Sequence, residues 1–270
     1  MFFLGLSANK AIITSSFQLQ TAFGANSDTV YAKEINGENS DVNTRQKIFI
    51  DILDSSKTEI NELKERISDL QLESDDWKKT RDNFINRLSE YRQYYNDLEN
   101  KITGENTTID EIKSIAKELK EWREKEYTPR LKEISNMILI FESENFLKTA
   151  KNRLDKVLLD LKKLEKQKFV KIDSLKFYYL QSSQKFKNAK ELNENAKSLF
   201  YNSLNSIDDK KTSSNDKVTA NTGAPTDTSE KSSKITDQES IKNILKNSLK
   251  ELKATYELFF QMNERLKNSK

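Results

Sequence analysis

The residues best placed to do chemistry are bases. Lys148, Lys151, Arg153, Lys156, Lys162, Lys163, Lys166, Lys168 and Lys171 crowd one stretch of the chain, and such a run suits an anionic partner such as a glycosaminoglycan, a nucleic acid or a membrane surface. The same run fits the solvated back of a helix whose other face carries leucines. That plainer reading is preferred, because all but one of these bases are lysines and neither a glycine-rich loop nor surface aromatics are interleaved with them. Carboxylate pairs such as Glu118 with Glu121 and Asp75 with Asp76 have the types for a hard cation or for acid–base work. Their setting is that of ordinary exposed helix charges.

Neither cysteine nor histidine occurs in the chain. Thiol nucleophiles, imidazole bases, Ser-His-Asp triads and ordinary zinc sites are therefore ruled out, and no phosphate-binding loop is present. The chain reads as a non-enzyme with no cofactor and no metal site. Its 46 basic and 43 acidic residues leave a net charge of +3, too balanced to argue for nucleic acid. The charge is nonetheless unevenly spread. Residues 51–76 hold nine acids against three bases, and residues 148–190 hold thirteen bases against four acids.

The elements that must carry these residues are helices. With only 5 Gly and 2 Pro in 270 residues, 33% charged and 35% hydrophobic, the chain lacks turn formers for a strand-rich domain and apolar mass for a thick core. The fold class expected is all-α, an elongated bundle of about five to six amphipathic helices joined along coiled-coil-like seams. No run is long and apolar enough for a transmembrane span.

From Phe49, apolar or small residues recur at Leu53, Ser56, Ile60, Leu63, Ile67 and Leu70 in alternating steps of three and four, which is one buried stripe of a helix. Ser74-Asp75-Asp76 caps a second helix with the stripe Trp77, Phe84, Leu88, Tyr91, Tyr95, Leu98 and Ile102, in which Trp77 and Phe84 are expected as core anchors. Gly104 suits a left-handed helix end. Thr108 and Glu111 form a capping box before a short third helix through Trp122. Thr128-Pro129 is expected to close that helix and to open a long fourth one through Leu131, Ile134, Ile138, Phe141, Leu147, Leu154, Val157, Leu161 and Leu164. The buried face should shift between Phe141 and Leu147. A fifth helix, 172–204, follows with little interruption on a seam that includes Ser182, Ala189, Asn193 and Ala196. Among its aromatics, Phe177 and Tyr178 lie off the seam, as Tyr94 does in the second helix, and are candidates for exposed contacts.

Four segments result. Residues 1–43 read as a disordered leader or remnant export signal, residues 44–205 as the bundle, and residues 206–238, rich in Ser, Thr, Asp and Lys, as a disordered linker. Residues 239–268, opened by a second capping box at Thr236 and Glu239, form an amphipathic helix expected to pack on the bundle or on a second copy, as in a homodimer.

The segment Lys47-Ile48-Phe49-Ile50, with Leu53-Asp54, Lys57, Ile60 and Leu63-Lys64-Glu65, resembles the first helix of the helical plasmid-encoded outer-surface lipoproteins of Borrelia, the spirochaetes of Lyme disease and relapsing fever. In style it is similar to their complement-regulator-acquiring surface proteins, and the likeness runs helix by helix over 44–204. It implies an α-helical bundle on the cell outer surface, or secreted, that engages a host protein such as a complement regulator, another complement component or a matrix protein. No binding residue transfers by motif, and the chain has no cysteine to carry a lipid. The heptads taken alone fit an alternative, a cytoplasmic coiled-coil scaffold or assembly protein.

Overall fold

A computed structural model of the chain describes residues 41–104, 107–169, 171–212 and 229–267. Among the described residues there are six α-helices, one π-helical turn and no strand: α1 (Val42–Ser68), α2 (Asp75–Ile102), α3 (Ile109–Trp122), the π turn (Arg123–Tyr127), α4 (Thr128–Lys166), α5 (Ile172–Thr212) and α6 (Ser229–Lys267). The fold is all-α. Of the expected leader, residues 1–40 lie outside the described residues, and α1 starts at Val42, just inside the end assigned to it. The chain divides into two compact units at Ile138–Leu139.

In the first unit, Asp41 caps α1 by accepting the Thr44 amide at 2.7 Å, and that bond holds the Asp41 carboxyl below its usual range. The entire expected stripe from Phe49 to Leu70 is buried. Leu70 and Leu72 fill a short connection that turns the chain back, so α1 and α2 lie antiparallel. Bonds across this hairpin tie Gln46 Nε2 to the Ile102 carbonyl (2.8 Å), Lys57 Nζ to Glu99 (2.7 Å) and Lys64 Nζ to Ser89 Oγ (2.9 Å). Every expected stripe position of α2 is buried except Trp77, which is half-buried. Trp77 lies in the first turn of α2, capped by Ser74. There the seam has only begun, so the anchoring role expected of it falls to Phe84 and the residues beyond.

The capping box at Thr108 and Glu111 forms in both directions. Two backbone expectations are corrected. Gly104 does not take the left-handed conformation, since no glycine among the described residues has positive φ. Thr103 ends α2 instead, its amide bonded to the Glu99 carbonyl at 3.0 Å. Nor does Thr128-Pro129 separate two helices. The chain stays helical from Ile109 to Lys166 because the π turn absorbs the proline. Thr128 N–H reaches back five residues to the Arg123 carbonyl, and this wider turn accommodates a ring that lacks N–H and would crowd the preceding turn of a regular helix.

Aromatic rings pack at the π turn. Trp122 lies 5.3 Å from Tyr91, 4.2 Å from Tyr94, 5.6 Å from Tyr95 and 5.5 Å from Tyr127. The Tyr127 hydroxyl donates to Glu59 (2.9 Å), the Tyr91 hydroxyl to Glu126 (3.0 Å), and Arg123 to Ser56 Oγ (3.0 Å). Burial, reinforced by the facing carboxylates, pushes the Tyr91 and Tyr127 hydroxyls well above their ordinary pKa. Burial also pushes Tyr95 up to about 12. Along the next turns of α4, Glu133, Ile134, Asn136, Met137 and Ile138 are all buried, so the helix is enclosed on more than the one stripe expected.

The second unit is a seam of three helices. Leu147, Ala150, Leu154, Val157 and Leu161 of α4 meet Leu175 and Ala189 of α5 and Leu252, Tyr256, Phe259 and Met262 of α6. At the rate of about 1.5–3 kcal/mol for each large apolar side chain fully buried, this seam is the dominant favourable contribution in the unit. Small residues let α5 and α6 approach closely, and Ser248 Oγ donates to the Ala189 carbonyl at 2.7 Å.

The junction of α4 and α5 departs from the near-continuous helix expected. α4 ends at Lys166, and Lys168 takes φ 56°. Phe169 N–H bonds to Leu164 O (3.1 Å) and Lys168 N–H to Glu165 O (3.0 Å), the paired pattern of a Schellman helix end. The chain then reverses, and Glu165–Lys176 (2.5 Å) and Glu144–Lys197 (2.6 Å) pair across antiparallel helices. Folding back lets two apolar stripes cover one another, which one continuous helix could not do.

α6 packs on α4 and α5 of its own chain. The face assigned to the bundle or to a second copy is therefore covered within one molecule. Helix also occupies residues 206–212 and 229–238 of the expected linker, and its remainder, residues 213–228, lies outside the described residues. Thr236 falls inside α6 rather than at its start. The only glycine and proline of the linker, Gly223 and Pro225, lie between these helical ends, so neither breaks them.

Candidate functional site

The bases singled out in the sequence belong to the second unit, where the fold separates them. Lys148, Lys151, Lys156, Lys162, Lys163, Lys166, Lys168 and Lys171 are exposed, whereas Arg153 is half-buried. Its guanidinium lies 5.1 Å above the ring of Tyr256, so Arg153 helps to seat α6 and is not part of an open basic surface. Lys151 is paired with Asp155 (2.7 Å) and Lys163 with Asp160 (3.5 Å). From Lys148 to Lys163 the helix rises roughly 22 Å, so the bases form no single cluster.

Two subsets emerge. Lys162, Lys163, Lys166, Lys168 and Lys171 gather about the Schellman turn and the start of α5. Arg265 of α6 lies at the same end, donating to the Tyr178 hydroxyl at 3.1 Å and stacking over its ring at 5.1 Å. Just beyond this turn α5 exposes Phe177 (57%) and Leu180 (65%). These two lie nearly one turn apart and off the buried seam, so apolar surface stands beside a basic helix end. Tyr178 is half-buried and Tyr94 is half-buried against Trp122, which leaves Phe177 as the exposed member of the aromatic candidates.

The other subset, Lys148 and Lys151, borders a groove of about 300 Å³ between α4 and α5. Leu147 and Phe186 supply its apolar lining, with Lys190 and Asn193 from α5. Glu144 and Glu194 complete the rim, and both are matched by cations, Glu144 with Lys197 (2.6 Å) and Glu194 with Lys190 (3.5 Å). Sequence reasoning placed Asn193 in the seam and did not connect it with Lys148. The available signal was an asparagine at a seam position, where an apolar residue is the rule.

The carboxylate pairs are dispersed into local contacts. Asp75 holds Lys78 at 2.9 Å and Glu121 approaches Lys125 at 3.9 Å. Among the described residues, no group of three or more Asp and Glu side chains is placed to hold a metal ion, and no helix is long and apolar enough to cross a membrane.

Comparison of the chain with protein-family models, curated proteins and solved structures finds no match.

Proposed function

We propose that this chain is a non-enzymatic helical binding protein that acts at the cell outer surface or in secreted form and engages a host protein. The exposure of Phe177 and Leu180 beside the basic end of the second unit carries the reading. Large apolar side chains held in water on a rigid helix are the usual raw material of a protein interface, and a rim of lysines adds steering toward acidic surfaces. Resemblance of the segment from Lys47 to Glu65 to the Borrelia surface proteins supports a complement regulator, a complement component or a matrix protein as the partner class. The absence of cysteine and histidine agrees with binding in place of catalysis.

Protease treatment of intact cells producing the protein tests this. The chain is expected to be cut by external proteinase K, or recovered from the medium. Full protection in cells whose cytosolic marker is equally protected, with none in the medium, would remove the proposal.

A further inference from the structure

Two helix flanks that face away from the buried seams carry opposite charge over equal lengths. On α1, Asp51, Asp54, Glu62, Glu65 and Asp69 are exposed, turned away from the buried stripe of Phe49 to Ile67. On α4, Lys148, Lys156, Lys162, Lys163 and Lys166 are exposed, turned away from Leu147, Leu154, Val157 and Leu161. Asp51 and Asp69 are eighteen positions apart, as are Lys148 and Lys166, a rise of roughly 27 Å on each helix. Leu159 stands on the basic flank and is 57% exposed, and its neighbours three and four positions away include Lys156, Lys162 and Lys163. Near the middle of the acidic flank the exposed residue is the uncharged Thr58.

Both flanks set like charges side by side. Glu62 with Glu65, Glu65 with Asp69, Lys162 with Lys166 and Lys163 with Lys166 are three or four positions apart, a spacing at which like charges repel. Glu65 and Asp69 also crowd the C-terminal end of α1, the end of a helix that disfavours carboxylates. Among the described residues, Asp51, Glu62, Glu65 and Asp69 hold no cation, and Lys156, Lys162 and Lys166 hold no carboxylate. A flank of opposite sign on another molecule relieves the repulsion on both sides.

This chain supplies that flank itself, and the register fits. With Leu159 over Thr58 and the helices antiparallel, Lys163 comes opposite Asp54, Lys166 opposite Asp51 and Lys148 opposite Asp69. Lys156 meets Glu62 with a stagger of one residue. Asp155 also faces Glu62, but Lys151 already neutralises it at 2.7 Å. Lys163 holds Asp160 at 3.5 Å and Asp54 holds Lys57 at 2.7 Å, and pairs with such exposed members exchange partners at little cost. The parallel alignment keeps Glu62 with Lys163 and Glu65 with Lys166, but it sets the exposed Lys47 against Lys148 and Asp54 against Asp155.

We infer that the basic flank of α4 docks antiparallel on the acidic flank of α1 in a second copy of this chain, with Leu159 inside the contact. Every copy presents both flanks, so the contact is heterologous and copies add one after another. The inference goes beyond the proposed host-binding role and uses neither Phe177 nor Leu180.

Sedimentation velocity of the full chain provides the test. In about 20 mM salt the wild type should sediment faster as its concentration rises, and in about 500 mM salt it should return to a monomer, because screening removes attraction between exposed charges. Lys156→Glu/Lys163→Glu/Lys166→Glu should stay monomeric in low salt, and so should Asp51→Lys/Glu62→Lys/Asp69→Lys. Mixed together, these two variants should associate again, since each then meets a flank of opposite sign. Circular dichroism checks that both are folded, and the milder Lys156→Gln/Lys163→Gln/Lys166→Gln should weaken association at least fivefold. A wild type that is monomeric in low salt would overturn the inference. So would association by either charge-reversed variant alone, or a mixture of the two folded variants that stays monomeric.

Discussion

Lys168 holds a left-handed backbone, φ 56°, at a position where glycine is the usual residue and any side chain is strained by roughly 1 kcal/mol or more. Its neighbours enforce the conformation. The paired bonds to Leu164 and Glu165 close the helix, while Leu164 and Phe169 both pack against the three-helix seam. Lys168→Gly should therefore raise stability by about 0.5–1 kcal/mol, the relief of strain being partly offset by the freer unfolded chain. In urea unfolding this would appear as a higher midpoint with unchanged slope; a lower midpoint would show that the lysine side chain itself supports the turn. Nothing in the run from Lys166 to Val170 marks this reversal, because the tertiary packing that forces it comes from residues far along the chain. Gly104 carried the local signal for such a turn and adopts an ordinary conformation, its place at the helix end taken by the Thr103 bond to Glu99.

Elements with a clean heptad stripe were legible residue by residue. The stripe positions from Phe49 to Leu70 are buried as their spacing requires, as are those from Phe84 to Ile102. The π turn was not legible. Its cause is the collision of Pro129 with a helix that neighbouring contacts keep intact, and the bonds from Tyr127 to Glu59 and from Tyr91 to Glu126 depend on pairings that spacing does not encode. These buried phenols make the first unit sensitive to alkali. Burial raises Tyr95 to about 12, and raises Tyr91 and Tyr127 as well, so the folded state holds these protons more tightly than the unfolded chain, whose tyrosines titrate near about 10. Their stabilisation is complete below about pH 10 and is lost as pH rises through the folded values. The urea midpoint should accordingly fall between about pH 10 and 12, and Tyr127→Phe should shrink that fall relative to its own neutral-pH value. A midpoint that stays level to pH 12 would contradict this assignment.

For the molecule as a whole, the all-α class followed from composition and period together: few turn formers, many charges and apolar residues enough only for seams. Candidate sites were harder to read. The basic run looked continuous in sequence, but a helix distributes neighbours around its axis, and folding sent Arg153 toward Tyr256, Lys148 toward the α4–α5 groove and Lys162 through Lys171 to the turn. Phe177 was legible as a residue off the α5 seam and is exposed, whereas Leu180 emerged only once α5 was seen to bury its other flank. With the α6 stripe covered inside the same chain, the role we propose is protein binding at the outward flanks of the helices. Its most direct measurement is biolayer interferometry of the full chain against purified complement regulators, complement components and matrix proteins, with Phe177→Ser/Leu180→Ser beside the wild type. At least one partner should bind the wild type, and the double substitution should weaken that binding at least tenfold while helix content and urea midpoint stay unchanged. Equal affinity for both proteins, or no binding by the wild type across the panel, would contradict the account.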